Sequence, residues 1–184
     1  MKKLFTLVAL LTCFLGAKAV EVTDLEIDYS TVTSDAWNGG WRSDDAATRV
    51  SVVPGEGIYF HSEEATANLW DAQFQLPGVP SGKLDNDALY TITIKIKGTG
   101  SVSAIHGYFS GSDRPGDIPV TSDWQTLTFE DCQNNPDAQY FANSGAILIQ
   151  CGDFVGDWWI SYIKITHEEK ESKPVEWIEN ITTN

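Results

Sequence analysis

Tyr90-Thr91-Ile92-Thr93-Ile94-Lys95-Ile96-Lys97 alternates apolar and polar residues without a break. Aromatic and β-branched side chains take one side, threonine and lysine the other. That period of two belongs to a strand with one buried and one wet face. The same pattern recurs outward along the chain. Leu127 and Phe129 alternate with Thr126 and Thr128, and Leu25, Ile27 and Tyr29 alternate near the start. Residues 50–53 and 58–61 flank the turn Pro54-Gly55-Glu56-Gly57, and 102–105, 146–151 and 158–166 are further short apolar runs. Glycine and proline punctuate the gaps, as in Pro77-Gly78-Val79-Pro80-Ser81-Gly82 and Asp113-Arg114-Pro115-Gly116-Asp117. No window sustains a helical period. Many short strands in one domain imply an all-β fold, a β-sandwich of the jelly-roll kind.

The 184 residues suit one such domain. Residues 1–19 read as a secretory leader: Lys2 and Lys3, an apolar run too short to span a bilayer, then Ala17-Lys18-Ala19 as a cleavage site. Cys13 leaves a lipidated start open, but Thr12 before it suits that signal poorly. Residues 20–168 form the domain. Residues 169–184 read as a linker and then Val175-Glu176-Trp177-Ile178, the opening strand of a further module; docking of that tail onto the sandwich is the alternative. Secretion, to the periplasm, cell surface or medium, is the expected location.

Removing the leader's three lysines takes the formal charge from −14 to −17. Such a charge opposes nucleic acid and anionic membranes, and membrane insertion is not expected. It disfavours acidic polysaccharides too, unless a local basic patch or a cation intervenes, and leaves a neutral ligand as the default. Cys132 and Cys151 remain after cleavage, either bridged in an oxidising compartment or as two buried thiols.

Rings and amides carry the chemistry. The run Ala67-Asn68-Leu69-Trp70-Asp71-Ala72-Gln73-Phe74-Gln75-Leu76 places an indole beside amide and carboxylate groups. A flat ring covers the apolar C–H face of a pyranose while polar neighbours bond its hydroxyls. Simple alternation, however, puts Trp70 with Ala72, Phe74 and Leu76 in the core; only a bulge or irregular start frees it. Trp37 and Trp41 sit in the glycine-rich Trp37-Asn38-Gly39-Gly40-Trp41, where they serve either as a sugar platform or as a cap on the sandwich. Trp124 precedes an alternating strand and is expected in the core. Trp158 and Trp159 are consecutive and so point to opposite faces. His106-Gly107-Tyr108-Phe109 concentrates an imidazole and two rings, and Arg114 follows with a guanidinium suited to vicinal hydroxyls.

Catalytic patterns are thin. Glu63-Glu64 and Asp44-Asp45 are adjacent pairs that would point apart on a strand, His61, His106 and His167 are scattered, and no GxSxG, HExxH or phosphate-loop motif is present.

The chain resembles bacterial carbohydrate-binding modules of the family 4/9 type over about residues 21–167. The resemblance lies in Trp70-Asp71-Ala72-Gln73, in the strand at 90–97, in Thr121-Ser122-Asp123-Trp124-Gln125-Thr126-Leu127-Thr128-Phe129, and in Trp159-Ile160-Ser161-Tyr162-Ile163-Lys164-Ile165. It implies a noncatalytic jelly roll that binds one β-glycan chain in a cleft. Trp70 and Phe109 would stack on sugar, with Gln73, Arg114 and Gln150 as polar contacts. The family's closing strand usually carries an aspartate for a structural calcium ion; Ser161 stands there, a poor substitute, which puts that calcium in doubt, and no other cofactor is expected. The implied partners are a neutral polysaccharide, xylan or β-glucan, and an appended glycoside hydrolase or tandem module. A lyase or hydrolase working through the same cleft, and a structural or adhesion domain with a filled cleft, are the rivals.

Overall fold

The computed structural model describes residues 19–33, 37, 40–79, 84, 88–108, 115–133 and 147–170. Its elements are β1 (Ala19–Asp28), α1 (Asp44–Arg49), β2 (Val50–Val53), β3 (Gly57–Ser62), β4 (Gln73–Gln75), β5 (Leu89–Gly100), β6 (Ala104–Gly107), β7 (Gly116–Pro119), β8 (Gln125–Gln133), β9 (Leu148–Gln150) and β10 (Gly156–Lys170). They make two antiparallel sheets packed face to face: a large one ordered β2-β3-β10-β5-β8, with β1 also on β10, and a small one ordered β4-β9-β6-β7. The all-β sandwich expected from alternation is the observed fold.

β5 follows its alternation as written, with Tyr90, Ile92, Ile94 and Ile96 buried and Lys95 exposed. β10 breaks its own. Its register on β5 shifts between Ile160 and Tyr162, which makes Ser161 a bulge. Before it Trp158 and Ile160 face the core; after it Ile163 and Ile165 do. The extra residue keeps isoleucines inward on both sides of an irregular sequence. Trp158 then stacks on Phe60 of β3 at 5.1 Å and on Phe74 of β4 at 5.9 Å, joining the sheets through three rings.

Two expectations are corrected, and one left open is settled. Trp124 is 39% exposed rather than core, because it lies in the loop before β8 with Lys95 and Lys97 beside it. Asp44 and Asp45 open a short helix rather than a strand; the Ser43 side chain accepts the N–H of Ala46 as its cap, and both acids suit the first turn. Cys132 and Cys151 are free buried thiols, on β8 of the large sheet and just after β9 of the small one. Burial pushes Cys132 up to about 12 and Cys151 upward as well, so neither is a ready nucleophile.

Candidate functional site

One row of polar side chains crosses the whole small sheet. Register sets Gln73 of β4 opposite Gln150 of β9, Gln150 opposite His106 of β6, and His106 opposite Asp117 of β7. Their neighbours Phe74, Ile149, Ile105 and Ile118 are fully buried, so the row lies on the outer side of the sheet, where Gln150 is itself covered, at 3% exposure. Gln150 Nε2 donates to Gln73 Oε1 at 3.0 Å. His106 Nδ1 lies 3.0 Å from Asp117 Oδ1, and its Nε2 lies 3.3 Å from Asp153 Oδ2. Asp153 Oδ1 is shielded from solvent and has no hydrogen-bond partner among the described residues, which leaves an acceptor beside the row.

Trp70 stands one turn before this row and is 56% exposed. Alternation fails here for a local reason. Leu69–Asp71 forms a 3-10 turn of about three residues per turn, so successive side chains rotate around an axis instead of flipping across a sheet. The Asp71 carboxylate accepts the Asn68 N–H at 2.9 Å and closes the turn. Of the Trp-Asp pair, then, the acid shapes the backbone and the indole is presented by it. The turn rests on Gly152, whose N–H donates to Leu69 O at 3.0 Å. A Cβ on Gly152 would sit 2.3 Å from Thr66 Oγ1 and 2.4 Å from Asn68 O, so the close approach requires glycine.

Trp41 also reaches this face. An isolated bridge pairs Arg42 with Phe74, the Ser43 N–H donates to Gln73 O at 2.9 Å, and Gln75 N–H donates to Trp41 O at 2.9 Å. The segment thus acts as a further edge beside β4. Arg42 faces the same way as Phe74, and the half-exposed Trp41 falls beside Gln75 on the outer face. Trp37 turns the other way: it packs edge-on to Phe74 at 5.6 Å, under the Arg42 guanidinium at 4.6 Å. Tyr108 follows His106 on β6's path, donates its N–H to Leu148 O at 3.0 Å, and is only 5% exposed.

The structure therefore brings Trp70, Gln73, Gln150, His106 and Trp41 to one face, while Trp37 packs on the core at Phe74 and Tyr108 is buried. Phe109 and Arg114 lie outside the described residues. Asp117 and Asp153, the two carboxylates on His106, had no sequence signal beyond general acidity; the turn ending at Asp117 was visible, its register on His106 was not. Among the described residues the buried Ser161 hydroxyl has no partner, and no three acidic, histidine or cysteine side chains gather to hold a metal ion.

No family model and no curated protein matches the chain. Solved structures do. The apo structure described as BiXyn10A CBM1 covers 79% of this chain and 98% of its own, at 19% identity and a TM-score of 0.60. A structure described as CBM4 covers 73% of this chain and 81% of its own, at 21% identity and 0.37. The N-terminal cellulose-binding domain of a β-1,4-glucanase C from Cellulomonas fimi covers 75% and 94%, at 15% identity and 0.38. The chain has the fold of a carbohydrate-binding module.

Proposed function

We propose that this chain is an exported, noncatalytic module that holds a single neutral β-linked glycan chain, of the xylan or β-glucan kind, across the outer face of the small sheet. The observation that carries this reading is the exposed indole of Trp70 beside the row Gln73–Gln150–His106. The ring offers a platform for the apolar face of a pyranose, and the row offers amide and imidazole groups at strand spacing to its hydroxyls. Trp41 extends the ring surface along β4. Phe109 and Arg114 join the proposal through the family resemblance alone. The carbohydrate-binding-module fold supports the reading, and so does the strongly negative charge, which suits an uncharged ligand at this amide-lined face. Its role would be to keep an appended glycoside hydrolase near insoluble substrate by raising effective concentration.

Calorimetric titration with xylo-, cello- and mixed-linkage oligosaccharides tests it. Trp70→Ala is expected to weaken binding at least ~tenfold, about 1.4 kcal/mol, with little change in Tm because the ring is exposed. Unchanged binding in the variant would remove Trp70 from the site. Reducing-sugar release by the purified chain, lost on changing one acid, would replace a binding module with an enzyme.

A further inference from the structure

The outer face of the large sheet carries a second arrangement of rings. Register sets Tyr59 of β3 opposite Trp159 of β10, and Trp159 opposite Lys97 of β5. Trp124 follows just before β8. Tyr59 and Trp159 stack at 4.8 Å. Lys97 Nζ sits between two indoles, 4.9 Å from the ring centre of Trp159 and 4.9 Å from that of Trp124, and Lys95 Nζ lies 5.5 Å from Trp124. Lys95, Lys97, Trp124, Trp159 and Tyr162 line a groove of about 460 Å³, within the range that takes small ligands.

The state of these lysines sets them apart. The chain has 26 acidic residues against 12 basic ones. Lys164 pairs with Glu21, Arg49 with Asp45, and Arg42 donates to a backbone carbonyl. Lys95 and Lys97 rest on indole faces, and no carboxylate lies within ion-pair distance of either among the described residues. Two acids do border the groove, Asp28 and Glu56. The Asp28 carboxylate takes the N–H of Ser30 at 3.0 Å and keeps its negative charge. Asp157, in the next register position from Trp159, is held by Tyr59 and His61. The arrangement thus holds two cations on aromatic surface, in a protein with ample acid to neutralise them.

We infer that this groove is a second glycan site, separate from the amide-lined face, and that it takes a sugar chain bearing carboxylates, a uronic-acid oligosaccharide. An exposed indole such as Trp124 stacks on the C–H face of the ring, and the two ammoniums meet its carboxylates. Asp28 and Glu56 oppose the carboxylates at the rim and favour the pose that turns them toward β5. This is the local basic patch that lets so acidic a protein meet an acidic polysaccharide.

The test is a titration of the full chain at low ionic strength with hexagalacturonate and with its fully methyl-esterified form. The acid form is expected to bind at least ~tenfold tighter than the ester, by analogy with the loss of two charge pairs, and to weaken as salt rises. The Lys95→Gln/Lys97→Gln double variant should lose that preference, and the Arg/Arg double variant should keep it. Trp124→Ala should weaken both forms, while Trp70→Ala should leave uronate binding intact. Both lysines point outward, so an unchanged Tm is the check on folding. Equal affinity for acid and ester, no binding at millimolar sugar, an undiminished Gln/Gln variant, loss through Trp70→Ala, or equal competition by an oligoglutamate peptide would each overturn the proposal.

Discussion

The two outer faces of the sandwich use the same ring, the indole, with opposite company. On the small sheet Trp70 and Trp41 neighbour glutamines and a histidine that is already shared by two carboxylates. On the large sheet Trp159 and Trp124 neighbour two lysines that have no acid partner among the described residues. Amides bond hydroxyls of either polarity and are indifferent to charge; ammoniums select anions. The difference lies therefore in the strand residues beside the rings more than in the rings themselves. It also lies in how the rings are held. Trp159 is fixed by strand pairing in the middle of a sheet, whereas Trp70 depends on a 3-10 turn at a strand's end.

Trp158 and Trp159 give the sharpest way to break that comparison, since they are adjacent in sequence and opposite in role. Trp158 is fully buried between Phe60 and Phe74. Trp158→Ala should cost about 3–5 kcal/mol, seen as a large fall in the denaturation midpoint, and should weaken both faces together because it supports both sheets. Trp159→Ala should cost about 1 kcal/mol or less and impair uronate binding alone. Comparable stability losses in the two variants would mean that Trp159 belongs to the structural core, and that the lysine face is only a packing detail.

Gly152→Ala comes next. The added methyl would meet backbone at the Trp70 turn, a strain of about 1–3 kcal/mol. The turn can relieve it by moving, which displaces the indole. Neutral-glycan binding should fall at least as far as in Trp70→Ala, while uronate binding stays as in the wild type. Retained affinity for neutral glycan would show that the position of the 3-10 turn does not matter to the site.

These cases also mark what the sequence could disclose. Alternation at 90–97 placed β5 and its buried side correctly, because a strand with one wet face writes its period directly into the chain. Gln73, Gln150 and His106 could be named as polar candidates, but their meeting in one row depends on two pairings between distant strands, β4 with β9 and β9 with β6, and register between such strands is not a local property. Trp70 was misplaced by alternation and recovered only through resemblance: the 3-10 turn that frees it is set by the Asp71 contact to Asn68 and by the space at Gly152, 81 positions away by number. Trp124 was misplaced for the converse reason, as a large apolar residue next to a regular strand reads as core unless its own loop is seen. The paired faces of Trp158 and Trp159 were legible, since consecutive strand residues must diverge.

The smallest expected effect concerns why the lysines have no acid partner among the described residues. Asp157 lies two positions before Trp159 on β10, and it is engaged by the Tyr59 hydroxyl and by His61 Nδ1 at 3.0 Å. The Tyr59 hydrogen bond is the main cause that holds the Asp157 carboxyl below its ordinary value, and the same bond pushes Tyr59 up to about 12. The signs follow. A depressed carboxyl gives stability that is present above its unfolded value of about 3.9 and is lost as pH falls through the lower folded value. A raised phenol gives stability that is present below its unfolded value of about 10 and is lost as pH climbs through the folded one. Tyr59→Phe keeps the ring stack on Trp159 and removes only the hydroxyl. Its cost should be under ~1 kcal/mol, since both groups are solvent-accessible, flat from about pH 5 to 9 and shrinking at either extreme. Denaturation curves at pH 3 and pH 7 read this directly. Freed from Tyr59, Asp157 should also compete for the neighbouring lysines and lower the preference for the acid sugar. A stability gap that persists undiminished at the lowest pH, with the sugar preference unmoved, would show that this carboxylate does not govern the charge of the face.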